Sequence, residues 1–225
     1  MTPLRIFIGY DPNETVALQV LAHSIYSRST VPVSITPIIK KQLRSVHRRK
    51  LDPQASTEFS FTRFLVPYLS NYTGWSLFMD CDMLVKGDIA EVFDLVDDKY
   101  AVMCCKHDHK PEKNNKFLGN VQTKYEKKNW SSFMLMNNIR CAALTPYYVE
   151  NASGLDLHQF KWLDSDSFIG EIPKQWNYLV GYDEPIDNVK NYHYTEGGPY
   201  FPDYHNCDFN EEWFTEKSKA DYASE

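Results

Sequence analysis

The hydrophobic residues of the chain fall into short runs that are separated by polar and turn-rich segments. Runs typical of buried strands cover residues 4–9, 31–39, 75–79, 83–85, 100–105, 131–137, 176–180 and 189–194. Apolar residues spaced three or four apart between these runs predict helices. The predicted helices cover residues 14–28, 59–69, 88–95, 163–170 and 211–223. Strands that alternate with helices indicate an α/β fold with a mostly parallel central sheet flanked by helices.

Size and charge narrow the class of protein. A chain of 225 residues with 43% hydrophobic residues suits one domain with a sizeable core. The net charge of −6 gives no global basic footprint, which argues against nucleic-acid binding. Basic residues are concentrated in residues 40–50 and 106–128. These stretches are either solvated surfaces or sites that attract a phosphorylated ligand or an anionic membrane. The aromatic content of 15% fits core packing as well as a carbohydrate or nucleobase site.

The cysteine residues and the hydropathy of the chain indicate in which cellular compartment the protein is expected. The five cysteines are odd in number and show no CxxC spacing, which argues against a disulfide framework and a zinc site. No apolar stretch reaches membrane-spanning length, and the first residues run into a strand without a signal-peptide pattern. We therefore expect a cytoplasmic protein without a transmembrane segment. Peripheral membrane contact through the basic stretches stays open.

The triplet Asp80-Cys81-Asp82 offers specific chemistry. It lies between the apolar runs 77–79 and 83–85, whereas solvated turns rarely have apolar runs on both sides. In extended backbone, residues i and i+2 point the same way, so both carboxylates reach one cation. Mg²⁺ and Mn²⁺ prefer oxygen ligands and share their shell with substrate phosphates. Ligands of open α/β sheets bind outside the carboxyl ends of the strands, where this triplet is predicted to lie.

Residues 77–85, Leu-Phe-Met-Asp-Cys-Asp-Met-Leu-Val, resemble the Asp-x-Asp strand of GT-A-fold glycosyltransferases. They are most similar to family 8, the glycogenin-like and lipooligosaccharide-galactosyltransferase-like enzymes, and further matches follow in order over residues 6–200. The resemblance implies a Rossmann-like GT-A fold, bound Mn²⁺ or Mg²⁺ and a nucleoside-diphosphate sugar donor, with a UDP-sugar as first choice. We expect a single domain over residues 1–225. Its donor-binding half is about 1–105, its acceptor-side half about 106–205 and its tail 206–225.

Two segments before the triplet resemble donor-binding parts of the family. Residues 6–11 resemble the first strand and the nucleobase loop, which implies that Asp11 contacts the base and Asn13 the ribose. A carboxylate can accept the imide N–H of uracil, although both residues are also common in helix N-terminal turns. Phe61-Thr62-Arg63-Phe64 resembles the segment that places an arginine near the donor sugar and diphosphate. A guanidinium pairs bidentately with phosphate, and the alternative is a surface charge on a helix.

Residues 193–200, His-Tyr-Thr-Glu-Gly-Gly-Pro-Tyr, resemble the late family motif His-Phe-x-Gly-x-x-Lys-Pro-Trp. The resemblance implies that His193 is the third metal ligand beside Asp80 and Asp82, and Asp80 belongs to the predicted donor site as well. The lysine that contacts the diphosphate in the family is missing. Backbone N–H groups at Gly197 and Gly198, or a lysine from residues 106–128, are the candidates to replace it.

Two further motifs depart from the family. Residues 130–137 resemble its Asn-Ser-Gly-x-x-Leu-x-Asn strand, but Trp130 stands where asparagine is usual. Residues 163–166 resemble the acceptor-side motif that contains Asp-Gln-Asp, but Ser165 replaces the glutamine, which in the family lies near the reacting anomeric carbon.

The expected reaction is glycosyl transfer to a carbohydrate or glycoconjugate acceptor, with Arg63, Asp164 and Asp166 as candidate catalytic residues. An inverting enzyme would use Asp164 or Asp166, or less favourably Asp156, to deprotonate the acceptor hydroxyl. A retaining enzyme needs no strong base; the family resemblance favours retention, whereas Ser165 counts against it. Two other classes are a nucleotidyltransferase, for which the first loop lacks the basic, glycine-rich character, and a non-catalytic sugar-binding protein.

Overall fold

The computed structural model describes residues 2–50, 57–108 and 126–222. Its strands are β1 (Leu4–Gly9), β2 (Val33–Ile38), β3 (Trp75–Met79), β4 (Met83–Val85), β5 (Val102–Cys104), β6 (Phe133–Asn137), β7 (Ile169–Glu171), β8 (Tyr178–Leu179) and β9 (Asn191–His193). Its α-helices are α1 (Thr15–Tyr26), α2 (Val66–Leu69), α3 (Ala90–Phe93), α4 (Pro146–Asn151), α5 (Gly154–His158) and α6 (Asn210–Asp221). A 3-10 helix, Thr62–Leu65, leads directly into α2.

In the described part of the chain, six strands form the central sheet in the order β2-β1-β3-β6-β5-β7. β1 pairs in parallel with both β2 and β3, and β5 pairs in parallel with β7. Only β6 runs antiparallel to its neighbours in this sheet. The predicted α/β fold with a mostly parallel central sheet is therefore confirmed.

Strand β3 lies in the middle of this sheet. Ser76 to Met79 are all buried, and Leu77 lies opposite Ile6 of β1 and Leu135 of β6. A strand covered on both faces has a nearly continuous apolar sequence, which is why the run 75–79 predicted it. The strand is held firmly by both neighbours, and its carboxyl end fixes the position of the backbone at Asp80.

A second sheet of three strands, again among the described residues, has the order β4-β9-β8. It borders a smaller hydrophobic cluster that includes Leu84, Tyr192 and Trp213. Helix α1 contacts both β4 and α6. The buried carboxylate of Glu216 in α6 meets Arg28 Nη2 and His23 Nδ1, each at 2.5 Å, which holds the last helix against the first.

The helix predicted over residues 163–170 is wrong. Asp166–Phe168 form one 3-10 turn, after which Ile169 opens strand β7 beside β5. A Cβ atom on Gly170 would lie 2.6 Å from the ring of Tyr100. The segment is thus fitted to close packing in the sheet, and this contact with a distant residue overrides the local helical spacing.

Helices α4 and α5 were not among the predicted helices. Both begin at a hydroxyl cap: Thr145 accepts the N–H of Tyr148, and Ser153 accepts the N–H of Asp156. Most of the basic stretch 106–128 and the last residue of the predicted helix 211–223 lie outside the described residues. None of the described helices combines the length and hydrophobicity that are needed to cross a bilayer.

The central place of β3 leads to a stability prediction. Replacing Leu77 by alanine should lower the free energy of unfolding by about 2–5 kcal/mol, because its fully buried side chain would leave a cavity. Urea denaturation followed by circular dichroism measures this loss. Leu155 is 52% exposed, and Leu155→Ala should change stability by less than about 0.5 kcal/mol. Equal losses in the two variants would contradict the prediction.

Candidate functional site

Three predicted metal ligands converge at the carboxyl end of β3. Asp80 and Asp82 follow this strand, and the antiparallel pairing of β4 with β9 places His193 opposite Met83. The N–H of Tyr194 donates to the carbonyl of Asp82 at 2.9 Å, which continues this pairing. One ligand atom from each of Asp80, Asp82 and His193 lies within 4.8 Å of the other two. The structure therefore brings together residues that the sequence separates widely.

A hydrogen-bond chain orients His193. The Nδ2 group of Asn177 donates to Ser132 Oγ at 2.9 Å, so its Oδ1 faces His193 Nδ1, also at 2.9 Å. This network assigns the ring proton to Nδ1 and turns the lone pair of Nε2 towards Asp82 Oδ1, 3.4 Å away. Metal-binding histidines commonly have their second nitrogen fixed in this way.

The three side chains fit a divalent cation. His193 Nε2 and Asp82 Oδ1 are 3.4 Å apart, close enough to bind the same cation. Both aspartates are also mostly withdrawn from water, with 14% and 11% of their side chains exposed. Carboxylate oxygens with one imidazole nitrogen are suitable ligands for Mg²⁺ or Mn²⁺. Charge balance and ligand chemistry thus agree with the predicted metal site.

Arg63 lies directly beside this centre. Its Nη1 is 2.8 Å from Asp80 Oδ1 and donates to the carbonyl of Ser131 at 2.9 Å. The guanidinium lies between the rings of Phe59 and Phe78, with its carbon 5.1 Å from each ring centroid. These contacts hold a buried positive charge next to one of the two carboxylates.

Glu14 is a buried acid at the same edge that was not predicted as a site residue. It accepts a hydrogen bond from the hydroxyl of Tyr200 at 2.6 Å, and its other oxygen is 3.8 Å from Cys81 Sγ. Burial, followed by the negative charges of Asp82, Asp11 and Asp80, raises the pKa of Glu14 to about 8. At neutral pH this carboxyl group is therefore mostly protonated and adds little negative charge.

The loop after β1 holds Asp11 and Asn13 together. One oxygen of Asp11 accepts both the backbone N–H and the side-chain amide of Asn13 at 2.9 Å, and the other accepts the N–H of Glu58 at 2.9 Å. Asp11 is buried, whereas Asn13 is exposed. Asp11 thus has a structural role in ordering this loop, and its predicted contact with a base stays a prediction.

The loop after His193 contains the two predicted phosphate-binding glycines. Gly197 has φ 152° and donates its N–H to the carbonyl of Tyr194 at 2.9 Å. A Cβ atom on Gly198 would lie 2.1 Å from the ring of Tyr200. Both glycines are therefore needed for the shape of the loop itself, and their contact with a phosphate stays a prediction.

The predicted acceptor-side acids lie apart from this cluster. Asp164 and Asp166 are exposed, and Asp166 pairs with Lys127 Nζ at 2.6 Å. The Nζ of Lys127 also donates to the carbonyl of Gln159 and lies 5.9 Å from the ring centroid of Trp130. The structure thus joins Arg63 to Asp80, and the ligand group within 4.8 Å includes neither acid.

The sequence is similar to that of Protein CDI from Arabidopsis thaliana. The two proteins are 48% identical over 223 residues, which cover 95% of this chain and 86% of the relative. This chain belongs to the Protein CDI family. In a separate comparison, no protein-family model matches the chain.

The structure is similar to those of solved glycosyltransferases. The bifunctional glycosyltransferase WbbM has a TM-score of 0.63 at 15% identity, and the match covers 96% of this chain and 50% of WbbM. GlyE of Streptococcus pneumoniae has a TM-score of 0.62 at 17% identity over 96% of this chain and 60% of GlyE. The galactosyltransferase LgtC, solved with donor and acceptor sugar analogs, has a TM-score of 0.60 at 11% identity. The match covers 99% of this chain and 98% of LgtC.

These matches confirm the predicted GT-A fold and the resemblance to family 8 at the level of the fold. The chain spans only half of WbbM and about three fifths of GlyE, but nearly all of LgtC. At such low identities, the fold is what the Protein CDI family is shown to share with these enzymes.

Sequence reasoning missed the residues that support the metal ligands. Asn177 and Glu14 are each joined to the site by a partner far away in the chain. Glu14 had been assigned only to the start of a helix, and Tyr200 appeared only as part of a motif. A glutamate at the start of a helix is normally exposed, so no local signal marked Glu14 as a buried residue of the site.

Glu14→Gln should flatten the pH dependence of stability of the metal-free protein. A carboxyl group whose pKa rises from 4.5 to about 8 on folding binds its proton more tightly in the folded state. Its contribution is fully present below pH 4.5 and is lost as the pH rises through about 8. The melting temperature in EDTA, measured from pH 5 to 9, should fall more in the wild type than in the variant. Exposed Glu211 provides the control Glu211→Gln, which should follow the wild type; parallel curves for all three proteins would refute the assignment.

Proposed function

We propose that this protein is a metal-dependent glycosyltransferase that uses a nucleoside-diphosphate sugar, with a UDP-sugar as first choice, and a carbohydrate or glycoconjugate acceptor. The observation that carries the proposal is the convergence of Asp80, Asp82 and His193 within 4.8 Å. This cluster lies at the carboxyl edge of the sheet, where α/β folds bind nucleotides. The fold shared with solved glycosyltransferases supports the same reaction class.

The metal centre would consist of Asp80, Asp82 and His193 with Mn²⁺ or Mg²⁺. Such an ion, when bound, neutralises the negative charge of the two donor phosphates. His193 offers Nε2 because Asn177 engages Nδ1 at 2.9 Å. Glu14, mostly protonated at neutral pH, keeps the edge from carrying a third negative charge beside the two aspartates.

The other donor contacts are proposed from their positions around this centre. Asp11 and Asn13 lie on the loop after β1 and are assigned to the base and the ribose. Arg63 places a positive charge beside the metal centre and is assigned to the leaving diphosphate, whose negative charge increases in the transition state. Gly197 and Gly198 lie on the loop after His193 and are assigned to backbone contact with the diphosphate.

For the stereochemistry we propose retention of the anomeric configuration. Inversion needs a carboxylate at the acceptor hydroxyl, and the candidates Asp164 and Asp166 lie outside the metal cluster, with Asp166 bound to Lys127. Retention needs no such base. Inversion with Asp164 or Asp166 as the base is the alternative, in which these residues would have to approach the acceptor.

The setting of the reaction is also proposed. We assign one catalytic domain to residues 1–225 and a reducing compartment, the cytoplasm, to the protein. The five cysteine thiols are all free, which agrees with reducing conditions. The basic residues 40–50 follow β2 at the same edge of the sheet as the metal centre, so peripheral contact with an anionic membrane would bring that edge close to it.

Asp82→Asn should reduce Mn²⁺-dependent release of UDP from UDP-sugars at least about 100-fold, because the metal loses a negatively charged ligand. The loss corresponds to about 2.7 kcal/mol in the activation barrier. Stability of the metal-free protein should stay the same or rise, since repulsion from Asp80 is removed. The measurement is a UDP-release assay over a panel of UDP-sugars, with thermal melts in parallel.

The matched control is Asp94→Asn, which changes an exposed aspartate after α3 and should leave UDP release unchanged. Full activity of Asp82→Asn at saturating Mn²⁺ would overturn the metal assignment. Sugar binding without metal and without turnover of any donor would instead favour a non-catalytic sugar-binding protein.

The anomeric outcome can be measured once a donor is found. Proton NMR of the first-formed product should show the anomeric configuration of the donor, because the proposed retaining reaction needs no carboxylate base. An inverted product would overturn retention and direct attention to Asp164 and Asp166. Asp164→Asn and Asp166→Asn would then identify the base.

A further inference from the structure

We propose that the hydrogen bond between Tyr200 and Glu14 clamps the nucleoside-binding loop to the diphosphate-binding loop and sets the distance between them. This inference rests on the proposed function, because it assigns a positioning role within the same donor site. Two loops are concerned: residues 9–14, called the first loop, and residues 194–200, called the late loop.

Glu14 closes the first loop and faces two other parts of the site. Its side chain lies under the loop, with 1% of the residue exposed. Oε1 accepts the hydroxyl of Tyr200 at 2.6 Å, and Oε2 is 3.8 Å from Cys81 Sγ, between the two aspartates. One carboxyl group thus touches the first loop, the metal-binding triplet and the late loop. A surface glutamate that merely starts a helix would make none of these contacts.

Tyr200 is held rigidly from the other side. Its ring lies so close to Gly198 that a Cβ atom there would be 2.1 Å from a ring carbon. The ring also contacts Phe201 and Trp213, with centroids 4.7 and 5.3 Å away. The ring therefore belongs to the late loop and to the packing of α6. Its hydroxyl alone extends to the first loop.

The chemistry of the pair favours a stable contact. Burial raises the pKa of the Tyr200 hydroxyl, so it stays protonated and donates. Glu14 accepts through Oε1. Breaking a buried hydrogen bond of this kind leaves a polar group without its partner in an environment that water does not reach.

A clamp between two loops affects most strongly a ligand that contacts both. In the proposed donor site, the base and ribose lie at the first loop and the diphosphate at the late loop. A nucleoside diphosphate contacts both loops, whereas a nucleoside monophosphate lacks the phosphate that extends furthest towards the late loop. The ratio of their dissociation constants therefore reports the spacing of the loops, and a general loss of stability leaves this ratio unchanged.

Tyr200→Phe tests the clamp, because it keeps the ring in place and removes only the hydroxyl. With Mn²⁺ present, isothermal titration calorimetry should show that the Kd for UDP rises about five- to tenfold. The Kd for UMP should change less than about twofold, so the ratio of the two constants changes. Glu14→Gln keeps a carbonyl oxygen that accepts the hydroxyl and should retain the wild-type ratio, whereas Glu14→Leu should behave like Tyr200→Phe.

The matched control is Tyr182→Phe. Tyr182 also donates to a carboxylate of the late loop, that of Glu196. This hydrogen bond joins Tyr182 to the late loop and not to the first loop, so the wild-type ratio should persist. An unchanged ratio in Tyr200→Phe and Glu14→Leu, or an equal change in Tyr182→Phe, would overturn the clamp while leaving the proposed function intact. Failure of the wild-type protein to bind UDP with Mn²⁺ would instead overturn the proposed function, and the clamp with it.

Discussion

Two like charges held side by side at the end of a buried strand determine how the rest of this edge is built. Asp80 and Asp82 follow β3, which is paired on both sides and cannot shift to relieve their repulsion. Three surrounding residues limit the electrostatic repulsion at this edge in different ways. Arg63 supplies a buried positive charge, His193 presents a lone pair that favours a cation between the groups, and Glu14 keeps its proton at neutral pH.

This arrangement explains why the supporting residues form a continuous network. Ser132 directly precedes β6 and accepts a hydrogen bond from Asn177, which in turn contacts His193. The carbonyl of Ser132 accepts the N–H of Asp80 at 2.9 Å. The same serine therefore contacts the backbone of one proposed ligand and, through an amide, the ring of another. The geometry of the centre is set by the backbone of the sheet as much as by the ligands.

Local sequence was sufficient for much of the fold. The continuous apolar run predicted that β3 is buried on both faces, and the alternation of strands with helices predicted the α/β fold. The triplet after β3 predicted a cation site, and the structure brings its two aspartates together with His193. His193 required the resemblance to a family, since nothing local distinguishes a ligand from a core histidine. The prediction of a helix over residues 163–170 was wrong because it used only the local sequence, whereas the close packing of this segment against Tyr100 involves a residue that is distant in the chain.

Glu14, Asn177 and Tyr200 could not be predicted for a related reason. Each acquires its role from a partner that is distant in sequence, and single-residue chemistry does not reveal such partners. The close sequence relationship to Protein CDI, at 48% identity, and the distant structural relationship to glycosyltransferases, at 11–17%, also differ in what they convey. The sequence match shows the family to which the chain belongs, and the structural matches show its fold.

The pairing of β4 with β9 has a consequence for how the protein is made. Asp80 and Asp82 leave the ribosome long before His193, and the third proposed ligand joins them only when one of the last strands docks. A nascent chain therefore carries two carboxylates but no complete cation site. Because successive residues of a strand face opposite sides, a docking error of one residue would turn His193 away. Completion of the centre thus coincides with correct closure of the second sheet, and a bound cation would favour the finished chain over its misregistered forms.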